Sequence, residues 1–269
     1  MRLLSFQPKP IAGIDWRPTT GKVAYADSWA GALSLFTIER DNLDVDWYTT
    51  SDIWDDSYPS WSPDGRRVAI MSNRAGNDEI HIVEAAKSDA DRVEFAATHD
   101  PVNITHTPVD ERWPAWSPNG DLIAFVSDRS GTLQIHVMDT DGSNVRQLTR
   151  ARGFPAGITR PPMAWSPDGA TLAFSAYENQ RCDIYILRLA SSAILRLTRS
   201  DGHDWSPTYS PTGDRIAFVS SRQRDGKKRG AARVWMMNAD GSVQEFVVGG
   251  VGGDVALVDW SPPLPSAPR

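Results

Sequence analysis

The stretch Pro59-Ser60-Trp61-Ser62-Pro63-Asp64-Gly65-Arg66-Arg67-Val68-Ala69-Ile70-Met71-Ser72-Asn73-Arg74-Ala75-Gly76 holds a turn, a strand and a second turn. In Ser-Pro-Asp-Gly the serine suits the first turn position and proline presets φ at the second. Glycine then takes the left-handed conformation without a Cβ clash. Val68-Ala69-Ile70-Met71 is an unbroken apolar run, as expected of a strand covered on both faces. The phrase returns at Trp116-Ser117-Pro118-Asn119-Gly120, Trp165-Ser166-Pro167-Asp168-Gly169 and Tyr209-Ser210-Pro211-Thr212-Gly213. Looser copies stand at Asp15-Trp16-Arg17-Pro18 and Trp260-Ser261-Pro262. The aromatic anchors are 45, 55, 49, 44 and 51 residues apart. That period fits one four-stranded propeller blade.

Each unit continues in the same way. A second turn is followed by a third apolar strand: Glu79–Val83, Gln134–Met138, Asp183–Leu187 or Arg233–Met237. A further turn, such as Asp139-Thr140-Asp141-Gly142-Ser143, leads to an outer strand ending near Leu148-Thr149 or Leu197-Thr198. One such sheet leaves both faces bare, and radial stacking covers them while protecting most edges. The expected fold is therefore all-β, a single β-propeller with four antiparallel strands per blade. The blades are expected at about 12–52, 56–106, 111–152, 160–201 and 204–250. Residues 254–262 together with 2–7 supply a partial closing blade. The ring is read as six-fold with an incomplete last blade, and a five-bladed ring is the alternative.

The order P-x-W-S-P-D-G-x-x-I-A-F-x-S-x-R-x-G…I-x-V-M-D-x-D-G…L-T, fullest at Pro114–Thr149, resembles the TolB-type, WD-like propeller repeat. The resemblance runs over roughly residues 12–262. It implies a binding propeller, mostly six-bladed among such proteins, or the propeller domain of a prolyl-oligopeptidase-type serine peptidase. Propellers host many activities, so the fold does not carry the function.

Bulk properties narrow the field. The chain has 269 residues, 40% of them hydrophobic, and a formal net charge of -6. A general nucleic-acid binder has a basic face, so that partner class is not expected. Cys182 is the sole cysteine, which rules out an intramolecular disulfide and is compatible with a reducing compartment. The N-terminal Met1–Pro10 lacks the long apolar core of a signal peptide. No stretch reaches the roughly 18 apolar residues of a membrane span. The lack of an export signal points to the cytoplasm, and the resemblance points to the cell envelope.

The candidate residues divide into structural and functional readings. The anchors Trp16, Trp61, Trp116, Trp165, Tyr209 and Trp260 read as a ring packed between blades. Asp139–Gly142 begins like a calcium loop but lacks the later acidic ligands, and reads as a hairpin turn. His81 and His136 share their strand position with Tyr185 and Trp235, which argues for packing rather than metal ligation. No metal or other cofactor is expected. Gly249–Gly253 reads as a flexible connection, and Lys227-Lys228-Arg229 as a solvated loop. Arg74, Arg129 and Arg222 recur two residues past the second strand, as expected of pairing between blades with acids before the inner strands.

The connections into the inner strands converge on one face around the axis. They offer Trp54, Asp56, Tyr58, His106, Glu111, Trp113, Arg160, His203, Asp204 and Trp205. Aromatic residues with charged neighbours on one rim suit recognition, and loop anchoring is the competing reading. The expected role is a non-catalytic binding or scaffold propeller engaging a peptide or protein partner at the channel mouth. Two enzyme readings stand beside it. A detached peptidase propeller would need G-x-S-x-G elsewhere, and this sequence has none. A lyase or sugar hydrolase acting in the channel would use Asp56, Glu111, His106, His203 and Asp204 as acid and base.

Overall fold

The computed structural model describes residues 12–29, 32–39, 45–49, 53–85, 100–150, 163–178, 180–222, 232–247 and 258–260. Among them are five four-stranded antiparallel sheets, each built from four strands consecutive in the chain. Blade 1 contains β1 (Ile14–Trp16), β2 (Lys22–Trp29), β3 (Ala32–Glu39) and β4 (Val45–Trp47). Blade 2 contains β5 (Asp56–Trp61), β6 (Arg67–Ser72), β7 (Glu79–Glu84) and β8 (Val102–Asn103). Blade 3 contains β9 (Glu111–Trp116), β10 (Leu122–Ser127), β11 (Gln134–Asp139) and β12 (Arg146–Gln147). Blade 4 contains β13 (Met163–Trp165), β14 (Thr171–Glu178), β15 (Arg181–Arg188) and β16 (Ala193–Arg196). Blade 5 contains β17 (Asp204–Tyr209), β18 (Arg215–Ser220), β19 (Arg233–Asn238) and β20 (Glu245–Phe246). The protein is an all-β propeller with four antiparallel strands per blade, as the repeat predicts. Among the described residues no helix is long and apolar enough to cross a membrane.

The core lies between blades. Ala24 and Leu35 of blade 1 pack with Trp61, Val68 and Ile70 of blade 2. Ala69, Ile80 and Ile82 of blade 2 pack with Trp116, Ile123 and Phe125 of blade 3. Ala173 and Ile184 of blade 4 pack with Tyr209, Ile216 and Phe218 of blade 5. Trp61, Trp116 and Tyr209 thus each seal their own blade against the one before it. A buried aromatic of this size contributes roughly 4–6 kcal/mol of gross apolar burial. Arg17 and Arg67 stack over the anchors of the following blades, 5.0 Å from Trp61 and 4.8 Å from Trp116.

The Ser-Pro-Asp-Gly turn meshes in the same direction. A Cβ on Gly120 would lie 3.2 Å from the Pro63 ring, and one on Gly213 would lie 3.3 Å from Pro167. Proline and glycine of successive turns therefore interlock, and both glycines also hold positive φ. Within each turn the serine hydroxyl accepts the N–H that opens the next strand, as from Arg67 to Ser62 at 2.9 Å. The Asp139–Ser143 segment closes as the expected hairpin turn, with Gly142 N–H donating to the Asp139 carbonyl at 2.9 Å.

Neighbouring inner strands follow the order β1, β5, β9, β13, β17 around the axis. Val258-Asp259-Trp260 lies beyond β17 as coil. Trp260 Nε1 donates to the Thr208 carbonyl at 3.2 Å, as Trp165 Nε1 donates to Ala115 of the preceding blade at 3.0 Å. The Trp16 N–H donates to the Asp259 carboxyl. This segment therefore links blade 5 to blade 1. Residues 2–7, 254–257 and 249–253, and the Lys227–Arg229 run, lie outside the described residues.

Candidate functional site

The inner strands enclose an axial cavity of about 410 Å³ that all five blades line, joined by Val258 and Asp259. Its wall includes Pro59, Pro114 and Pro207, edges of the anchor tryptophans, and small residues such as Ala115 and Ala164. The prolines follow a repeated feature of the inner strands. Tyr58, Trp113 and Ser206, each three residues before its anchor, have φ of 51°, 55° and 49°. Gly13 holds the same place in blade 1 with φ 93°. Ladder register shifts at these points in β5, β9 and β17, the mark of a bulge. The bulge places the following proline on the tunnel wall.

Asp15 and Asp259 are the charged side chains among the residues lining this tunnel. Both sit directly before an anchor. Asp15 accepts the Trp61 N–H, and Asp259 Oδ1 accepts the Thr208 hydroxyl at 3.0 Å and the Trp260 N–H at 2.8 Å. Enclosure by the wall, and then the charge of Asp259, hold the Asp15 carboxyl well above the usual carboxylate range. Burial lifts Asp259 to about 6 against the hydrogen bonds it accepts. Sequence reasoning passed over this pair. The available signal was the residue preceding each anchor: Asp15, Ser60, Ala115, Ala164, Thr208 and Asp259.

The rim acids are tied into the blades. Asp56, Glu111 and Asp204 are each 0% exposed. Arg74 reaches Asp56 with two bonds at 3.2 and 2.7 Å, and Arg222 reaches Asp204 at 3.3 and 2.7 Å. Arg129 Nη2 lies 3.0 Å from Glu111 Oε1. These pairs form within one blade, which corrects the expectation of pairing between blades. The reason is register: Asp56 faces Ser72, Glu111 faces Ser127 and Asp204 faces Ser220, so an arginine two residues further on turns back onto the acid.

The rim aromatics separate in the same way. Tyr58 and Trp113 are buried and meet edge to face at 6.2 Å. Trp54, His203 and Trp205 are half-buried, and His106 is exposed. His203 Nδ1 accepts the Cys182 N–H at 3.3 Å, and its ring lies 5.7 Å from Tyr177. Arg160 lies outside the described residues. His81 and His136 are packed in the sheets, with His136 stacked on Phe125 at 5.6 Å. Burial lowers the pKa of both imidazoles. Among the described residues no three His, Cys, Asp or Glu side chains gather as a metal site. The cavity is thus a proline-rich space with one acidic pair, while the partly exposed Trp54, His106, His203 and Trp205 lie on or beside the connections into the inner strands and are not among its lining residues.

Comparison with known proteins agrees with this architecture. Residues 151–262 match the model of the TolB beta propeller domain. Over 110 residues the chain is 33% identical to an uncharacterised peptidase of Bacillus subtilis, covering 38% of this chain and 15% of that protein. Over 132 residues it is 25% identical to the Tol-Pal system protein TolB of Desulfosudis oleivorans, covering 49% of this chain and 27% of that one. The matched region thus spans less than a third of these curated relatives. TolB from Acinetobacter baumannii superposes with a TM-score of 0.72 at 22% identity, covering 94% of this chain and 58% of that one. A puromycin hydrolase superposes with a TM-score of 0.62 at 18% identity, covering 88% of this chain and 37% of that one. At these identities the superpositions establish the fold.

Proposed function

We propose that this chain, a TolB-like β-propeller, is a binding propeller that engages a peptide or protein segment at the mouth of its axial tunnel. The observation that supports this reading is the tunnel itself, whose proline-rich wall holds one pair of carboxylates, Asp15 and Asp259, among the described residues. Trp54, His106, His203 and Trp205 flank the connections into the inner strands with exposed or half-exposed rings. Such rings supply contact area at low conformational cost. The buried Asp56, Glu111 and Asp204 ion pairs brace these connections so that the mouth is preorganised.

The test is a peptide selection from a displayed random library, followed by titration calorimetry. Ala164→Trp plugs the tunnel wall, and Trp54→Ala with Trp205→Ala strips the mouth. Peptides selected on the native protein should weaken by about tenfold or more, roughly 1.4 kcal/mol, in both variants while the melting profile stays cooperative. Unchanged affinity in both would sink the reading.

A second reading is favoured by the match to a peptidase, in which the aligned part is 15% of that protein. Here the propeller would cover a catalytic domain of a larger hydrolase and screen substrates through the tunnel. Reading the gene on either side of this segment for G-x-S-x-G separates the two readings.

A further inference from the structure

The junction between blades 2 and 3 is built differently from its counterparts. In β7 Glu79 points into that junction, 1% exposed, and meets Glu111 of β9, 0% exposed. The two carboxyl groups hydrogen-bond to each other. The same strand position is Ser34 in blade 1, Gln134 in blade 3 and Asp183 in blade 4. At the junction of blades 4 and 5 the acids Asp183 and Asp204 each have an arginine, Arg196 and Arg222, both at 2.7 Å. At the junction of blades 2 and 3, among the described residues, one arginine serves two acids: Arg129 pairs with Glu111 at 3.0 Å. Charge balances there when the pair keeps one proton.

The connection Ile104–Asp110 is fastened to this pair. The Thr107 N–H donates to Glu79 Oε1 at 2.7 Å, and the Thr107 hydroxyl donates to Glu111 Oε2 at 2.6 Å. The Thr105 hydroxyl donates to Glu79 Oε2. Asn77 Nδ2 donates to the Val109 carbonyl at 2.6 Å and lies 3.4 Å from Glu79 Oε1. The same connection presents the exposed His106.

We propose that the Glu79–Glu111 pair is a pH-sensitive latch, holding the Ile104–Asp110 rim connection while the two share a proton and releasing it when both are ionised. The surroundings do not supply a second positive charge. Arg112 is engaged by Asp78 at 2.8 Å and by Asp110. Arg74 is engaged by Asp56 at 2.7 Å. His136 of β11, which interacts with Glu111, and His81 of β7, opposite Ile70, have lowered pKa values and are neutral near pH 7. His106, on the connection itself, is exposed to solvent. Burial first, and then the bond and charge of Glu111, push Glu79 up to about 7 against the Thr105 and Thr107 donors. The sign follows: a carboxyl with a raised pKa stabilises its folded surroundings at acid pH, and that contribution is lost as pH rises through about 7.

The proposal goes beyond the binding reading and holds whether or not a partner docks at the mouth. The test is amide hydrogen exchange of the peptide covering residues 104–110 in the whole protein, corrected for intrinsic rates, from about pH 6 to about pH 8.5. Protection of this peptide should fall about tenfold in the native protein across that range, and by no more than about twofold in Glu79→Gln. Glutamine is the residue at the same position in blade 3. Equal pH dependence in both proteins, or none in the native one, overturns the latch. Should Glu79→Gln fail to fold, carbon-13 NMR of the native glutamate carboxyls decides. One carboxyl titrating near neutral pH supports the latch, and titration of all of them in the ordinary acid range overturns it.

Discussion

At the scale of single residues, the inner strands are shaped by left-handed conformations that most side chains avoid. Tyr58 and Trp113 hold positive φ and are repaid by burial, at 9% and 4% exposure, in the apolar cluster between blades. A non-glycine residue in this region costs on the order of 1–3 kcal/mol. Ser206 has the same φ without that return, because its hydroxyl is buried and finds no hydrogen-bond partner among the described residues. Ser206→Gly removes both the strain and the unpaired hydroxyl, against a smaller entropic loss from glycine. The expected outcome is a stabilisation of about 1 kcal/mol, read as a raised midpoint in urea unfolding. Ser206→Ala should recover only the part owed to the hydroxyl.

At the scale of one blade, the threonine that follows the outer strand in blades 1 to 4 has a defined task. The hydroxyls of Thr49, Thr105, Thr149 and Thr198 accept the N–H of Leu35, Ile80, Ile135 and Ile184 in the third strand, all at 2.9–3.0 Å. In blades 3 and 4 the same hydroxyl donates to Gln134 at 2.8 Å and to Asp183 at 3.2 Å. One threonine therefore fastens the outer edge of its sheet and orients the polar group at the next junction. Thr198→Val keeps the volume and removes both bonds, leaving the Ile184 amide and Asp183 short of partners. The expected cost is roughly 1–3 kcal/mol, seen as a lowered urea midpoint with an unchanged slope.

At the scale of the molecule, the ring is joined where Asp259 links blade 5 to blade 1 through Thr208 and Trp16. Asp15 lies beside it on the tunnel wall. Both carboxyls have raised pKa values, so each favours the folded ring at acid pH. That stabilisation is full below the unfolded carboxylate pKa and is lost as pH rises through about 6 for Asp259. Asp259→Asn keeps an acceptor for Thr208 and removes the repulsion. It should raise stability at pH about 8 by roughly 1–2 kcal/mol, with little change at pH about 4. Melting temperatures across pH check this, and parallel curves for the two proteins would refute it.

The repeat of Trp-Ser-Pro-Asp-Gly, the apolar second strand and the Leu-Thr ending were enough to specify blades of four hairpin-linked strands. Those interactions are local, and their spacing is written along the chain. The anchors were also legible as packing residues, because six copies of one feature at one repeat position have to share one environment. The fate of the rim acids was half legible. Pairing of Asp56, Glu111 and Asp204 with Arg74, Arg129 and Arg222 was expected, but between blades, and only the ladder register brought each acid against the arginine of its own blade. Nor did the chain announce that Asp15 meets Asp259, or Glu79 meets Glu111, across long sequence separations. Sequence alone determined the blade, since a hairpin depends on neighbours in the chain. Tertiary structure alone decided the tunnel, the seam and the facing acid pairs, since those arise where separate blades bring distant residues together away from water.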